Sequence, residues 1–250
     1  MKKRCAIFTT VKNENIFLPI WLKYYQKYFS NDDIYILDHD STDESTKNLN
    51  VNIVRVTNNY VNDHDWLVKI AQDFQKELLK NYECVIFAES DEILYSVEKS
   101  FDQTINDFIR SNDKYVTFSG YSVIQDVEKE QSLLSGDKIF EKRNYWYKDA
   151  AEDKTLMSKV PLDWSWGFHK LTGRNNNYQK DCYIVHLHRF DFKSMVERHK
   201  TRMSFIQKND GGGTHWKSNE KDIFEVFRQV ASQPFLIPED HKRVLKDLVY

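Results

Sequence analysis

Four short, almost uninterrupted apolar runs within the first ninety residues constrain this chain more than any other feature. They lie at residues 5–8, 34–37 and 84–88, and at 51–56, where Asn52 and Arg55 interrupt the run. Apolar runs of this length without polar alternation are typical of strands that are buried on both faces. The segments between the runs have helical periodicity, which is clearest over residues 65–80. Strands that alternate with helices predict an α/β fold, a three-layer sandwich with a mainly parallel central sheet.

Weaker patterns predict the remaining elements and the organisation of the chain. Helices are expected over 16–28, 192–209, 221–231 and 238–249, with a short one after Ser41 or Thr42 that ends at Lys47. Strands are expected over 121–127, 139–144 and 183–188. The glycine run 211–213 predicts a hinge or mobile loop. We expect one domain over 1–190, with halves 1–95 and 96–190, and a helical C-terminal extension over 191–250.

Composition and terminal sequence argue against several classes of protein. Lys and Arg total 36 against 38 Asp and Glu, a balance that gives no support for a nucleic-acid-binding protein. No apolar run approaches the roughly 20 residues of a membrane helix. The apolar stretch after the basic residues 1–4 stops at Thr9, too early for a signal peptide. Cys5, Cys84 and Cys182 are widely spaced in apolar runs, which is typical of buried reduced thiols in a cytoplasmic protein.

Polar residues rich in carboxylates follow three of the four predicted strands, at residues 9–14, 38–43 and 89–92. Ligands of open parallel sheets bind at the carboxyl ends of the strands. Extended residues two apart, such as Glu89 and Asp91, project to the same side, where two carboxylates repel each other unless a cation lies between them. Oxygen ligands favour Mg²⁺ or Mn²⁺, the ions that accompany diphosphates. An acidic turn that caps the next helix is the alternative interpretation.

The three segments together resemble a known family. Thr9-Thr10-Val11-Lys12-Asn13-Glu14, Asp38-His39-Asp40-Ser41-Thr42-Asp43 and Glu89-Ser90-Asp91-Glu92 are similar in order and spacing to motifs of the family-two type of GT-A glycosyltransferase. The resemblance covers roughly residues 4 to 95. It implies a Rossmann-like GT-A fold and an inverting, metal-dependent transfer of sugar from a nucleotide diphosphate donor, by default a UDP-sugar. The acceptor would be a glycan, a lipid-linked sugar or a protein, as in polysaccharide biosynthesis.

The resemblance also implies roles for individual residues. Residues 1–95 would bind the nucleotide sugar, and 96–190 would bind the acceptor. Lys69 could face the diphosphate, although a solvated lysine is an equal alternative. Asp91 matches the second aspartate of the Asp-x-Asp motif and would bind the metal, Mn²⁺ or Mg²⁺. Glu89 stands where the family has the first aspartate, so it would bind the metal directly or contact ribose or a metal-bound water. The other residues expected to contact the donor are Thr9, Val11, Asn13, Glu14, Asp38, Asp40, Asp43 and Ser90.

Two histidines share one face of the predicted strand 183–188. Several GT-A enzymes supply a late histidine to the metal, and the resemblance implies that His186 or His188 has this role. A hydrogen-bonded core histidine is the alternative. A mononuclear iron site of two histidines and a carboxylate would need a nearby carboxylate, which Leu187 and Arg189 do not provide.

An inverting enzyme needs a general base, which related enzymes take from a carboxylate downstream of the metal motif. We favour Asp163, because the segment 163–170 combines an acid, aromatic faces, a glycine and two basic groups. His169 is an alternative base or a phosphate contact. A structural role, in which Asp163 caps a turn beside core tryptophans, is equally compatible with the sequence. The other candidates for the base are Asp149, Glu152 and Asp153.

Two other functions share part of this pattern. A sugar nucleotidyltransferase normally has a glycine-rich phosphate loop after the first strand, and residues 9–14 contain no glycine. A carbohydrate-binding protein without activity could keep the same fold, because fold alone does not establish activity. The aromatic and basic residues 192–200 and 216–217 could contact the inner face of a membrane peripherally. The sequence gives no indication of an oligomeric state.

Overall fold

The computed structural model describes residues 1–60, 63–148, 152–205, 219–230 and 234–250, and shows a mixed α/β fold around a ten-stranded sheet. The strands are β1 (Lys3–Val11), β2 (Ile34–Asp38), β3 (Asn52–Arg55), β4 (Tyr82–Phe87), β5 (Glu92–Tyr95), β6 (Tyr115–Ile124), β7 (Tyr145–Tyr147), β8 (Lys154–Ser158), β9 (Tyr178–Arg189) and β10 (Phe235–Leu236). The helices are α1 (Phe17–Tyr25), α2 (His64–Leu78), α3 (Phe101–Arg110), α4 (Ile139–Lys142), α5 (Phe192–Met203), α6 (Glu220–Val230) and α7 (Glu239–Leu245).

The parallel part of the sheet lies at one edge. The strand order is β10-β7-β6-β8-β4-β1-β2-β3, and β9 pairs with both β5 and β6. Strand β1 pairs in parallel with β2 and β4, and β2 pairs in parallel with β3. Beyond β4, strand β8 is antiparallel to both of its neighbours, whereas β9 is parallel to β6. The predicted α/β fold is therefore confirmed, with parallel pairing concentrated in the strands that the first ninety residues form.

Both faces of this parallel edge are covered by other parts of the chain. Phe8 of β1 packs edge-to-face against Phe74 of α2, with ring centroids 5.4 Å apart. The adjacent Ile7 points to the opposite face, and both side chains are fully buried. On α1, Tyr25 is also fully buried, and its hydroxyl donates to the carbonyl oxygen of Glu92. Burial on both faces explains the apolar runs within β1, β2 and β4.

Two predicted elements are wrong. Residues 139–144, predicted as a strand, contain the helical turn α4, in which the amide of Arg143 donates to the carbonyl of Ile139. A short apolar pair such as Ile139 and Phe140 fits a buried turn as well as a strand. The predicted helix ending at Lys47 does not form. The backbone there turns through a positive φ of 68° at Glu44, which a right-handed helix does not accommodate.

The C-terminal part contributes to the sheet as well as to the helices. Helix α5 ends at Met203, α6 begins one residue before its predicted segment, and α7 lies within its predicted segment. Strand β10 pairs with β7 at the opposite edge of the sheet from β3. The glycine run 211–213, residues 216–217 and Asp149 lie outside the described residues.

The three cysteines are buried and free, as predicted. Within the described ranges, the helices are too short or too polar to cross a bilayer.

Candidate active site

A cavity of about 380 Å³ lies at the carboxyl ends of β1, β2 and β4, where a parallel sheet places its ligand. One part of its lining is apolar and comes from Val11, Leu37, Val56, Leu67 and Ile70. The other part is charged and comes from Lys12, Glu14, Glu89, Asp91, Glu152, Lys154, Arg198 and Arg202. Five histidines also line the cavity: His39, His64, His169, His186 and His188. The cavity can therefore hold a ligand that has an apolar or aromatic end and an anionic end.

A buried lysine balances part of the acidic motif that follows β4. Lys154 begins β8, the strand beside β4, and its Nζ lies 2.5 Å from both Glu89 Oε2 and Glu92 Oε1. Burial alone would lower the pKa of Lys154, but the charges of Glu89 and Glu92 raise it above the usual value. Burial raises the pKa of Glu92 to about 7, because the attraction of Lys154 does not offset the lost solvation.

An arginine balances the rest of the acidic motif. Arg198 Nη1 lies 2.8 Å from Asp91 Oδ2, and its Nη2 lies 2.8 Å from Glu14 Oε2. Burial would raise the pKa of Asp91, but the positive charge of Arg198 holds it well below the usual value. The guanidinium also lies over the ring of Phe17, 4.6 Å from its centroid. The cations that separate the repelling carboxylates in this structure are thus side chains of the protein.

A candidate metal centre lines the same cavity as Asp91. Glu152, His186 and His188 each offer one ligand atom, and these atoms lie within 4.8 Å of one another. The histidines come from β9, where residues two apart share a face. Glu152 supplies the carboxylate that the residues next to the histidines do not provide. The three residues match the donor types that Mn²⁺, Fe²⁺ and Zn²⁺ accept.

The protonation state of His188 suits a ligand role. Burial, followed by the charge of Arg189, lowers the pKa of His188 well below its usual value. The imidazole is therefore neutral near pH 7 and has a lone pair for a metal. Asp91 lies close enough to His188 and His186 to interact electrostatically with both.

Gly120 of β6 allows the backbone at Glu152 to approach closely. A Cβ on Gly120 would lie 2.0 Å from the carbonyl oxygen of Glu152. The Gly120 amide donates to Asp153 Oδ1 at 2.7 Å, which holds the two segments together. On the other side, His186 Nε2 lies 3.0 Å from the same Glu152 carbonyl oxygen. Glu152 is thus packed between β6 and β9, and only a residue without a side chain fits opposite it.

The predicted donor-binding residues divide into two groups. Val11, Glu14, Glu89 and Ser90 line the cavity. The others do not line it: Thr9, Asn13, Asp38, Asp40 and Asp43. Thr9 is fully buried within β1.

Asn13 and Asp38 organise the two loops beside the cavity. The Asn13 amide donates to Ser41 Oγ at 2.9 Å, and Asn13 Oδ1 accepts from the Thr42 amide at 2.7 Å. Asp38 is fully buried, accepts a hydrogen bond from the Ser41 amide and forms a 2.8 Å ion pair with Arg55. These contacts join the loop after β1 to the loop after β2.

The candidate bases and Lys69 occupy different environments. His169 lines the cavity, whereas Asp163 is exposed and is not part of the lining. Trp164 is buried in the core. Trp166 is 51% exposed at the cavity, and its ring is tilted by 55° against that of His64, with the centroids 4.5 Å apart. Lys69 is exposed on α2, forms an ion pair with Asp73 and does not line the cavity.

Sequence reasoning missed Lys154, Arg198 and Arg202. Lys154 is the single charged residue of the fully buried strand Lys154–Ser158, and a lone charge in such a strand is a signal of a buried ion pair. Arg198 and Arg202 are four residues apart on α5, so they share one helix face. Glu152 was a candidate base and lies in the candidate metal centre instead.

Comparisons with known proteins identify no family. No family model matches the chain, and no curated protein matches it significantly. A mannosyltransferase from Pyrobaculum calidifontis, in complex with GDP-Man and Mn²⁺, is similar with a TM-score of 0.39 and 12% identity over 98% of this chain and 68% of that one. A cytidylyltransferase from Leptospira borgpetersenii serovar Hardjo-bovis has a TM-score of 0.34 and 9% identity, over 100% of this chain and 99% of that one. The bifunctional glycosyltransferase WbbM has a TM-score of 0.31 and 11% identity, over 98% of this chain and 38% of that one.

Proposed function

We propose that this protein is a metal-dependent glycosyltransferase, which moves a sugar from a nucleotide diphosphate donor to an acceptor hydroxyl. One observation carries the proposal: an acidic motif and a His/Glu donor set face one cavity at the carboxyl ends of β1, β2 and β4. A UDP-sugar is the first donor to test. The acceptor is a glycan, a lipid-linked sugar or a protein, and polysaccharide biosynthesis is the setting that we favour.

The donor set supports a divalent cation, for which we propose Mn²⁺ or Mg²⁺. Glu152, His186 and His188 would hold it, with Asp91 and Glu89 as further oxygen donors from the acidic motif. A cation bound there would act as a Lewis acid toward the negative charge that grows on the leaving diphosphate. Lys154 forms ion pairs with Glu89 and Glu92, and its positive charge offsets the repulsion between the carboxylates of the acidic motif.

The apolar part of the cavity supports binding of the nucleoside. Val11, Leu37 and Val56 surround it, and His39 lies at its edge, with its ring 4.7 Å from Trp66. We propose that Val11 and the backbone near Thr9 contact the base, and that Glu14 and Ser90 lie near the ribose. The loops that hold Asn13, Asp38, Asp40 and Asp43 would fix the shape of this end of the pocket. Residues 1–95 would thus form the donor half, and 96–190 the acceptor half.

Transfer with inversion needs a base that removes the proton of the acceptor hydroxyl. His169 lies in the cavity lining beside Gly167, which has a φ of 72° and turns the chain at this point. We therefore propose His169 as the base, with Asp163 as the second candidate. Trp166 would offer an aromatic face to the acceptor sugar.

We also propose a cytoplasmic protein whose extension, 191–250, touches the inner face of a membrane. Lys193 and Lys200 are exposed on α5 and offer positive charge to an anionic surface. Sedimentation with anionic and neutral liposomes tests this contact. Absence of the protein from both pellets would refute it.

The experiment that tests the function measures release of nucleoside diphosphate from a panel of nucleotide sugars, with Mn²⁺, Mg²⁺, Fe²⁺ or EDTA. We expect slow donor hydrolysis that depends on the metal and falls at least roughly tenfold in Asp91→Ala and in Glu152→Gln. Asp73→Ala, on the exposed side of α2, is the matched control. Release of pyrophosphate from a nucleoside triphosphate would instead indicate a nucleotidyltransferase. Release of neither product, together with donor binding, would indicate a binding protein.

A further inference from the structure

We propose that Arg198 exchanges partners during donor binding: it holds Asp91 in the free protein and binds the donor's diphosphate once a divalent cation takes Asp91. This inference rests on the proposed function, and it assigns the diphosphate to α5 rather than to Lys69. Lys69 is exposed and paired with Asp73, whereas Arg198 lines the cavity.

The guanidinium of Arg198 has two edges with different partners. Its Nε and Nη2 both point to Glu14 Oε2, at 2.9 Å and 2.8 Å. Its Nη1 donates to Asp91 Oδ2 at 2.8 Å. Because the two contacts use separate nitrogen atoms, the Asp91 contact can break while Glu14 still holds the guanidinium in place.

Glu14 and Asp91 are anchored to different extents. Glu14 Oε1 also accepts a hydrogen bond from the amide of Phe17, at the start of α1. Among the described residues, the Asp91 carboxylate has no hydrogen-bond donor other than Arg198. Glu14 is therefore the fixed partner of Arg198, and Asp91 is the exchangeable one.

Arg202 places a second guanidinium on the same face of α5, one helical turn further on. Burial, followed by the neighbouring charge of Arg198, lowers the pKa of Arg202 to about 10, so that it remains protonated near pH 7. Two cations one helical turn apart repel each other, and an anion bound between them offsets this repulsion. A diphosphate carries two anionic groups, one for each guanidinium.

The exchange makes binding of metal and binding of diphosphate support each other. A cation on Asp91 replaces the charge that Arg198 had supplied, and it frees Nη1 for a phosphoryl oxygen. In the free protein, Arg198 competes with the metal for Asp91, and Asp91 competes with the diphosphate for Arg198. Such coupling is reciprocal, and typical couplings change affinity about 5- to 150-fold.

The test is Arg198→Gln, for which the exchange predicts effects of opposite sign. Mn²⁺ alone should bind to this variant roughly tenfold more tightly than to wild type. The electron paramagnetic resonance signal of the free ion measures this affinity. Uridine and guanosine diphosphate, measured by calorimetry at saturating Mn²⁺, should bind roughly 10- to 100-fold more weakly. Arg110→Gln, on the exposed face of α3, is the matched control and should change neither affinity. An arginine that only supports the fold would weaken both, and that result would overturn the proposal.

Asp91→Asn tests the exchange from the other partner, and it decides the matter if Arg198→Gln does not fold. In EDTA, this variant should bind the nucleoside diphosphates roughly tenfold tighter than wild type, because Arg198 is no longer held. Asp107→Asn, the surface partner of Arg110, is its control. Unchanged or weaker binding in EDTA would overturn the exchange but leave the proposed function standing. If wild type binds neither Mn²⁺ nor a nucleoside diphosphate, both proposals fail.

Discussion

Glu92 and His186 are directly opposite each other on the antiparallel strands β5 and β9, and His186 Nδ1 lies 3.6 Å from Glu92 Oε1. Glu92 is fully buried, so its position is fixed by the sheet register. The contact is too long for a hydrogen bond and acts as an electrostatic attraction. It orients the ring so that Nε2 faces Glu152, 3.2 Å from Oε2. Carboxylates behind metal-binding histidines commonly fix the ring and its tautomer in this way.

Glu92→Gln should therefore weaken the proposed metal site without removing a ligand. We expect Mn²⁺ affinity to fall about 10- to 100-fold, because the His186 ring loses its orienting charge. The free-ion resonance signal of Mn²⁺ measures this change. Glu83→Gln, which is exposed on β4, is the control. Equal Mn²⁺ affinity in the variant and wild type would show that His186 needs no support from Glu92.

Gly120→Ala should disturb the same centre through the backbone. The new methyl group would meet the Glu152 carbonyl, so we expect a loss of roughly 2 kcal/mol in the free energy of unfolding and weaker Mn²⁺ binding. Urea denaturation and Mn²⁺ titration measure the two effects. Gly173→Ala is the control: its φ is 67° but no atom lies near its added Cβ. It should cost roughly 1 kcal/mol and leave Mn²⁺ affinity unchanged. Normal Mn²⁺ affinity in Gly120→Ala would contradict a positioning role.

The two candidate bases should differ in turnover. His169→Asn should lower kcat by about 10²- to 10⁴-fold while donor binding changes little, because only proton removal is lost. Asp163→Asn should keep turnover close to wild type, since Asp163 is exposed and does not line the cavity. Steady-state kinetics with an identified donor and acceptor measure both. The opposite pattern would assign the base to Asp163.

Mild acid should destabilise the packing of α7 through His241. This side chain is buried, its Nδ1 lies 2.7 Å from the Tyr95 hydroxyl, and burial lowers its pKa. The pKa of His241 in the unfolded chain is about 6.5. Above that pH, neither the folded nor the unfolded protein binds a proton at His241, so this residue does not change the free energy of unfolding. As pH falls below that value, the unfolded chain is protonated first, so the free energy of unfolding decreases.

Urea unfolding at about pH 7 and about pH 5.5, followed by tryptophan fluorescence, should show this loss as roughly 1 kcal/mol from His241. His241→Gln keeps a hydrogen-bond acceptor for Tyr95 but cannot titrate. We expect the variant to be less stable at neutral pH and less sensitive to acid. The pKa values of His39 and His188 are also lowered, so the free energy of unfolding of the variant should still depend on pH with a smaller slope. A slope equal to that of wild type would assign the acid sensitivity to other groups.

The parts of the fold that the sequence predicts are those with local signals. Strands β1, β2 and β4 each contain a short buried apolar run, and α2 has one apolar face, so each is defined by residues close together in the chain. Helix α4 lacks such a signal, because one buried turn has no period to detect. The loop after β2 has helix-capping residues, which led to the prediction of a helix there. In the structure, the Ser41 amide instead donates a hydrogen bond to the buried carboxylate of Asp38.

The same distinction applies to the site. The motif at residues 89–92 is contiguous and could be located without a structure. Its counter-ions could not, because Lys154 and Arg198 come from β8 and α5 and meet the motif only through the tertiary fold. The carboxylate of Glu152, which precedes β8, joins His186 and His188 of β9 in the same way, although the two segments are distant in sequence.

The position of β8 has a consequence for synthesis on the ribosome. This strand is inserted between β4 and β6, so a nascent chain that stops short of Lys154 leaves one side of β4 without a partner. An open strand edge of this apolar character invites pairing with other chains. Fragments that end before β8 should therefore aggregate, and expressing the first half of this protein alone would yield insoluble material.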